Sequence, residues 1–355
     1  MEYRTLGRTG LKVSPLGLGT SNFGDVTPED EARRIIEGTL DAGVNLIDLG
    51  HIYGDGLAER IVGSVLKQTG RRHEVLISTK VYPGEFDDQT GLARAEHVPG
   101  RSPNEQGLSR AGILNACDAA LRRLQTDHID LYQTHRPDFG IPIDETLRAF
   151  DDLVRAGKVR YIGCSTYPAW GVMEALMVSE LKGYVRFSSE QAPYNLLDRR
   201  IENELIPLCG RHGLGILAWA PLGMGVLAGR YSDSAEYPEG SRADLLGKYY
   251  ARRVTERAVR VGVEFGKLAS EAGITPAQLA ILWCKDQPGI TAPLIGPRRF
   301  EHVDELVAVQ EMTLDPGIAA ACDALVPPGS AVSDFHNTSG WMKTQLTWTG
   351  CVGDG

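Results

Sequence analysis

The chain has 355 residues, 42% hydrophobic and 23% charged, with a formal net charge of -9 at pH 7. That balance is ordinary for a globular protein, and its sign disfavours nucleic acid or an anionic membrane as the main partner. The N-terminal MEYRTLGRTG lacks the apolar segment of a signal peptide, and no run approaches the ~18 apolar residues of a membrane span. The six cysteines are scattered, with no CxxC and no zinc spacing. We expect a cytoplasmic protein with reduced thiols and no resident metal, and the oligomeric state is open. We also expect one domain over residues 1–355, because α/β barrels of this length form a single unit.

Residues 2–13, with turn signals at Gly7 and Gly10, read as a short hairpin before a buried strand over 15–19. Thr27-Pro28 reads as an N-cap followed by proline at the first helical position. Ala32, Ile36 and Leu40 then recur four apart, and Gly43 supplies a left-handed C-terminal residue. The apolar run 44–47 ends on Asp48, and Tyr53 follows in a loop beside Gly54 and Gly56. A helix over 58–70 buries Ile61, Val62, Val65 and Leu66, and a strand over 75–79 ends at Lys80. Ser109 caps a helix with Ile113, Cys117, Leu121 and Leu124 on one face, and a strand over 129–133 leads to His135.

The alternation continues with a helix over 144–156 closed by Gly157 and a strand over 159–163 followed by Ser165. Trp170, Met173 and Met177 mark a helix and read as its core stripe. Strands over 185–189 and 214–218 lead to Gln191 and Trp219. Helices over 255–272 and 276–286, a strand over 290–295 leading to Gly296 and Arg298, and a helix over 300–309 complete the pattern.

Strands that read as continuous apolar runs are buried on both faces, as parallel strands are. Eight of them alternating with helices close into a (β/α)8 TIM barrel. An open doubly wound sheet would need a glycine-rich GxGxxG turn after an early strand, and none is present. Two long connections, 81–108 and 221–252, follow strand C-termini, where barrel enzymes keep their site. A C-terminal tail from about 327 holds Phe335, His336, Trp341 and Trp348; it folds over the same mouth or hangs free, and both remain open.

Asp48, Lys80 and His135 end successive strands and Tyr53 lies just beyond one, so a barrel brings all four to one rim. Singly they have ordinary readings: Asp48 a helix cap or turn carboxylate, Lys80 a solvated charge, His135 a satisfied loop histidine. Together they suit proton donation to a carbonyl. A phenol keeps its proton at neutral pH, with a pKa near about 10. A neighbouring ammonium lowers that value, and a carboxylate keeps a buried ammonium charged. A neutral histidine orients the carbonyl oxygen. What remains to be supplied is a hydride.

The segments GVNLIDLGHIYGDGLAERIVG, VLISTKV, IDLYQTHRPD, GKVRYIGCST, SSEQAPYN, LAWAPLGMGVLAGRY and IGPRRFEHVDE, in this order, resemble the aldo-keto reductases. The resemblance runs from Tyr3 to about Leu314 and implies a (β/α)8 barrel that binds NADP(H) without a Rossmann domain. It implies Tyr53 as proton donor, Lys80 and Asp48 tuning it, and His135 orienting a small-molecule aldehyde or ketone, a sugar or natural-product carbonyl being within that class. Ser165 and Gln191 would hold the nicotinamide carboxamide, and Trp219 would stack on the ring. Leu222, Gly223 and Gly225 would meet the pyrophosphate with Arg230 nearby, and Gly296 and Arg298 the 2′-phosphate end. Gly19 and Thr20, where the first barrel strand ends, and His302, near the adenine, complete the expected cofactor set.

The chain departs from that family's pattern at Thr166, where Asn is usual, and at Ala220, where Ser is usual. His302 and Leu306 stand where Gln and Asn are common, which weakens the expected adenine contacts. His51 reads as a loop residue. The branch it resembles includes potassium-channel β-subunits, so a cofactor-binding, redox-sensing regulatory subunit is the alternative function. A metal-dependent hydrolase using His51 and His135 would want HxH or HExxH spacing, which is absent. Tyr82, Phe86, Tyr231 and Trp341 would suit a sugar or an aromatic ketone equally.

Overall fold

Parallel strands buried on both faces organise the chain. The computed structural model describes residues 2–81, 104, 107–232, 236–246 and 251–335. Strands β1 (Arg4–Thr5) and β2 (Lys12–Val13) pair antiparallel as the expected hairpin. The barrel strands are β3 (Gly17–Gly19), β4 (Leu46–Asp48), β5 (Leu76–Val81), β6 (Ile129–Thr134), β7 (Val159–Ser165), β8 (Phe187–Pro193), β9 (Gly215–Trp219) and β10 (Ile290–Ile295). Each pairs in parallel with the next, and β10 returns to β3 to close an eight-stranded barrel.

The helices are α1 (Glu29–Asp41), α2 (Leu57–Thr69), α3 (Arg110–Leu124), α4 (Ile143–Arg155), α5 (Ala169–Lys182) and α6 (Leu205–His212). After them come α7 (Arg242–Leu246), α8 (Glu256–Glu271), α9 (Pro276–Lys285), α10 (Glu301–Val307) and α11 (Pro316–Leu325). Apolar side chains that point outward from the strands, such as Ile47, Ile77 and Ile162, pack against the helix stripes in one core cluster.

The inside of the barrel has two layers. Leu46, Leu131, Leu217, Ala292 and Leu294 fill one, and Leu6 and Val13 of the hairpin join it. The other, toward the strand C-termini, is polar: Asp48, Ser78, Lys80, Gln133, Ser189 and Gln191 are all buried there. Period-two alternation produces this, since Ser78 and Lys80 share one face of β5, and Ser189 and Gln191 one face of β8.

Several expectations shift. Helix α1 starts at Glu29 with Pro28 in the cap position; the Thr27 hydroxyl instead donates to the Arg298 carbonyl. Strands β5 and β8 run further than expected, so Lys80 and Gln191 lie within strands rather than beyond them. The stripe Trp170, Met173, Met177 is not core. Trp170 and Met177 are about half exposed, at 52% and 51%, and Trp170 stacks on exposed Phe139. Helix α5 buries the opposite, smaller stripe of Val172, Ala175, Leu176 and Ser179. Helices α6 and α11 were not expected. The first is short and carries Pro207, and the second follows an Asp315 cap with Pro316 at the first position.

The tail turns back as far as it is described. Val332 and Ser333 donate backbone bonds to Leu197, and Phe335 is buried. His336, Trp341 and Trp348 lie outside the described residues, as do Tyr82 and Phe86.

Helix α2 meets α3 backbone to backbone: a Cβ on Gly63 would stand 2.4 Å from the Leu124 carbonyl oxygen. Gly63→Ala should therefore destabilise the fold by about 1–3 kcal/mol, the scale of overpacking. Gly266, inside α8, faces open space: a Cβ there would meet nothing within 4 Å. Gly266→Ala should therefore stabilise by about 0.5–1 kcal/mol. Urea unfolding of the two variants checks both signs.

Candidate active site

Register brings the four rim residues together. Asp48 pairs with Ser78 across β4 and β5, and Lys80 with Gln133 across β5 and β6. His135 follows β6 directly, its N–H bonded to the Val81 carbonyl. Tyr53 stands at the head of a turn in which Gly54, Asp55 and Gly56 are all left-handed. A Cβ on Gly54 would lie 2.9 Å from the Phe23 carbonyl oxygen, so glycine is required there for the turn to pack.

The Lys80 ammonium is the hub. It donates to Asp48 Oδ2 at 2.7 Å, to the Leu49 carbonyl at 2.6 Å and to Tyr53 Oη at 3.3 Å. Asp48 Oδ1 in turn accepts from Gln191 Nε2 at 2.7 Å and from Ser78 Oγ at 3.1 Å. Gln133 donates to Ser78 Oγ at 2.9 Å and accepts from Ser189 Oγ at 3.3 Å. The His135 ring meets Tyr53 edge to face, with centroids 5.8 Å apart. His51 Nδ1 lies 3.3 Å from the Lys80 carbonyl oxygen.

Burial and charge set the protonation states. Burial works against the Lys80 ammonium, but Asp48 and Tyr53 outweigh it and hold its pKa above the ordinary value. Tyr53 corrects an expectation. Burial raises the phenol pKa, Lys80 opposes that only in part and Asp48 adds to it, so the net shift is upward. His135 is pushed well below the usual range by burial, helped by the nearby charges of Arg136, Lys80 and His51. At neutral pH the rim therefore carries a protonated phenol, a charged ammonium and a neutral imidazole, a set able to donate a hydrogen bond and a proton to a carbonyl oxygen.

The residues expected to hold a dinucleotide fall around this centre. Thr20 bonds through Oγ1 to the Asp48 carbonyl at 2.9 Å, just past Gly19. Ser165 Oγ donates to the Gln191 carbonyl at 2.9 Å, which ties the end of β7 to β8. Trp219 is half-buried at the end of β9, and its indole N–H is buried with no partner among the described residues. After it, Leu222 leads into a turn in which Gly223 and Gly225 have positive φ. Arg298 donates to the Gly240 carbonyl at 2.6 Å. Its pKa is lowered by burial first and then by the repulsion of Arg242 and Arg230, so three cations lie near one another. Gly296 and the Gly19–Asn22 loop abut there, with Asn22 Nδ2 3.4 Å from the Gly296 carbonyl oxygen. An aromatic face, a glycine turn and an arginine cluster are the donor set a nicotinamide dinucleotide phosphate would need, so the residues fit such a group.

Leu306 is buried with Leu16 and Val44 in a core cluster. His302 is half-buried on α10. Tyr231 is buried and donates to the Met224 carbonyl, a brace of its loop rather than a pocket wall. Thr166 and Ala220, the two departures from the aldo-keto reductase pattern, both adopt left-handed φ, at 60° and 57°. Sequence reasoning missed Ser78, Gln133 and Ser189, the polar layer under the rim. Their signal was polar residues inside fully buried strands, with Ser78 and Ser189 standing two positions before Lys80 and Gln191. It also missed Arg242, which donates to Asn22 Oδ1 at 2.7 Å.

Comparison with known proteins agrees with this geometry. The aldo/keto reductase family pattern matches residues 15–327. The chain is 39% identical to the uncharacterized oxidoreductase YrpG of Bacillus subtilis (strain 168) over 345 residues, which span 95% of this chain and 99% of that one. It is 36% identical to a probable voltage-gated potassium channel subunit beta of Arabidopsis thaliana, over 86% of this chain and 90% of that one. Versiconal hemiacetal acetate reductase of Aspergillus parasiticus is 36% identical over 89% and 94% of the two chains. With a closed parallel barrel and a family match across nearly its whole length, the chain belongs to the aldo/keto reductase family.

Proposed function

We propose that this protein is an NADPH-dependent carbonyl reductase in which Tyr53 gives its proton to the carbonyl oxygen of a small aldehyde or ketone. The observation that carries the reading is the buried contact of the Lys80 ammonium with both Asp48 and the Tyr53 hydroxyl. The bound dinucleotide supplies the hydride. Tyr53 supplies the proton, and Lys80 offsets the phenolate charge that develops as the proton leaves. Asp48 keeps Lys80 charged. His135, neutral, orients the carbonyl by a hydrogen bond. On the cofactor side, Ser165 and Gln191 take the carboxamide, Trp219 takes the ring face, and Arg298 with Arg230 and Arg242 takes the phosphates. Gly19, Thr20, Leu222, Gly223, Gly225, Gly296 and His302 complete the set. Five described cysteines are buried and unbridged, which supports a reducing compartment, and we take the cytoplasm as its location.

A natural-product carbonyl is a reasonable substrate class, since one relative is named for reducing a hemiacetal acetate. The channel-subunit relatives support the second reading, a cofactor-binding redox sensor with little turnover. Turnover with any of a panel of aldehydes and ketones, followed by NADPH absorbance, separates the two.

The expected behaviour of variants follows. Tyr53→Phe should keep the fold and NADPH affinity and lose about 10²–10⁴-fold in turnover, the typical share of general acid catalysis. Lys80→Met should be comparably severe, because Asp48 is left buried without its partner. The two losses should not add in the double variant, since both act on one proton transfer. Near-wild-type turnover in Tyr53→Phe rejects the mechanism.

The pH profile has a definite sign. Reduction needs the protonated phenol, and the Tyr53 pKa is raised. The rate should therefore show no Tyr53-dependent fall between about pH 6 and 9, and drop only above the ordinary phenol value near about 10. His135, lowered well below its usual value, should contribute no step near pH 6.5 either. A break near neutrality that vanishes in Tyr53→Phe would contradict the assignment.

Cofactor choice is tested at Arg298. Arg298→Ala should weaken NADPH by about ten- to a hundredfold, the scale of a lost charge-assisted hydrogen bond, and leave NADH nearly unchanged. Equal losses for both dinucleotides, measured by calorimetry, would remove Arg298 from the 2′-phosphate.

A further inference from the structure

Arg136, a cation of the site, has no part in the chemistry described so far. Arg136 follows His135 at the end of β6. Its Nη1 donates to the His135 carbonyl at 2.7 Å and to Thr166 Oγ1 at 2.9 Å, and it reaches 3.5 Å from Ser165 Oγ. Its guanidinium carbon stands 5.7 Å from the centre of the Trp219 ring, over which the Arg253 guanidinium also lies, at 5.4 Å. Arg136 thus touches the ends of β6 and β7 and faces the end of β9. Its charge is felt across the centre, because it helps to lower His135 and partly opposes the burial that raises Tyr53 and Glu190.

The group that holds Arg136 is itself rigid. Thr166 is a β-branched residue at φ 60°, a strained conformation that persists only where surroundings over-determine it. Here its N–H bonds the Gln191 carbonyl at 3.0 Å. The next N–H, of Tyr167, bonds Glu190 Oε1 at 3.1 Å. Where the aldo-keto reductase pattern has an amide side chain beside Ser165, this chain has a hydroxyl with a guanidinium bonded to it. Glu190 lies fully buried behind the turn, and burial lifts its pKa to about 7. At neutral pH it is only partly ionised and offsets Arg136 incompletely.

A guanidinium cannot shed its proton in a protein. The oxidised nicotinamide ring carries a positive charge and the reduced ring does not, so a fixed cation beside the ring discriminates between them by Coulomb repulsion. We propose that Arg136 is a specificity-determining residue of the nicotinamide subsite, which makes the protein hold the reduced dinucleotide in preference to the oxidised one. The inference rests on the reading that the nicotinamide lies against Trp219 and Ser165. It assigns a direction to the site: reduced cofactor is captured, the oxidised product is pushed out, and carbonyl reduction is favoured over alcohol oxidation.

The test is calorimetric titration of the full chain with NADPH and, separately, with NADP+. The proteins compared are wild type, Arg136→Lys, Arg136→Gln and Trp219→Ala. Wild type should bind NADPH more tightly. Arg136→Gln should shrink the ratio of the two dissociation constants by about tenfold, equivalent to about 1.4 kcal/mol, chiefly by tightening NADP+. Arg136→Lys, which keeps the charge, should keep most of the ratio. Equal affinity of wild type for the two forms overturns the proposal without any variant. An unchanged ratio in Arg136→Gln overturns it too, as does an equal loss for both forms, which marks a brace of the Thr166 turn and no more. Trp219→Ala separates the two levels. If it weakens both forms while Arg136→Gln leaves the ratio intact, only this inference fails. If it changes neither dissociation constant, the nicotinamide lies elsewhere and the underlying reading fails with it.

Discussion

The ion pair between Lys80 and Asp48 is the constraint on which the rest of the site depends. Both side chains are essentially sealed from solvent, at 0% and 3% exposure. Enclosing two charges costs several kcal/mol for each, and their attraction compensates only when the geometry is good and the remaining donors and acceptors are satisfied. The barrel meets both conditions. Lys80 has three acceptors, and the Asp48 carboxylate receives Lys80, Ser78 and Gln191. The polar layer of Ser78, Gln133 and Ser189 is therefore part of the same device as the rim, because it fixes the carboxylate that fixes the ammonium.

That device sets the character of Tyr53. Near an unpaired ammonium the phenol would drift toward phenolate; near an unpaired carboxylate it would hold its proton too firmly. The pair presents both charges at once, and burial then decides the net direction, which is upward. The outcome is a phenol that stays protonated across the neutral range, with a cation in reach that would stabilise a phenolate. The end near Arg298 is organised differently. There Arg230, Arg242 and Arg298 repel one another, an arrangement that an anion would relieve. Left-handed residues Thr166, Ala220 and Met224 bend the backbone just after β7 and β9.

Much of this was legible in the sequence because barrels are built from local rules. Continuous apolar runs alternating with capped helices, and a reactive residue near several strand ends, identified the (β/α)8 fold, and the rim residues Asp48, Tyr53, Lys80 and His135 fell together as their positions implied. What escaped was decided by tertiary context. The apolar stripe on α5 was misread because Trp170 and Met177 are larger than Val172 and Ala175, and size does not say which of two stripes with the same spacing turns inward. The sign of the Tyr53 shift needed the depth of burial, which no motif reports. Arg136 and Arg242 look like solvated charges in the sequence, and only the adjacency of Thr166 and Asn22 gives them partners.

The coupling of Lys80 to Tyr53 is open to direct measurement. With tyrosine labelled at the ζ carbon, the chemical shift of Tyr53, assigned by its loss in Tyr53→Phe, can be followed against pH in wild type and in Lys80→Met. The account predicts a wild-type phenol that titrates above the ordinary value near about 10. It predicts a further upward move in Lys80→Met, where the opposing charge is gone and Asp48 remains. A Tyr53 signal that titrates near neutrality, or one that Lys80→Met leaves in place, would contradict it.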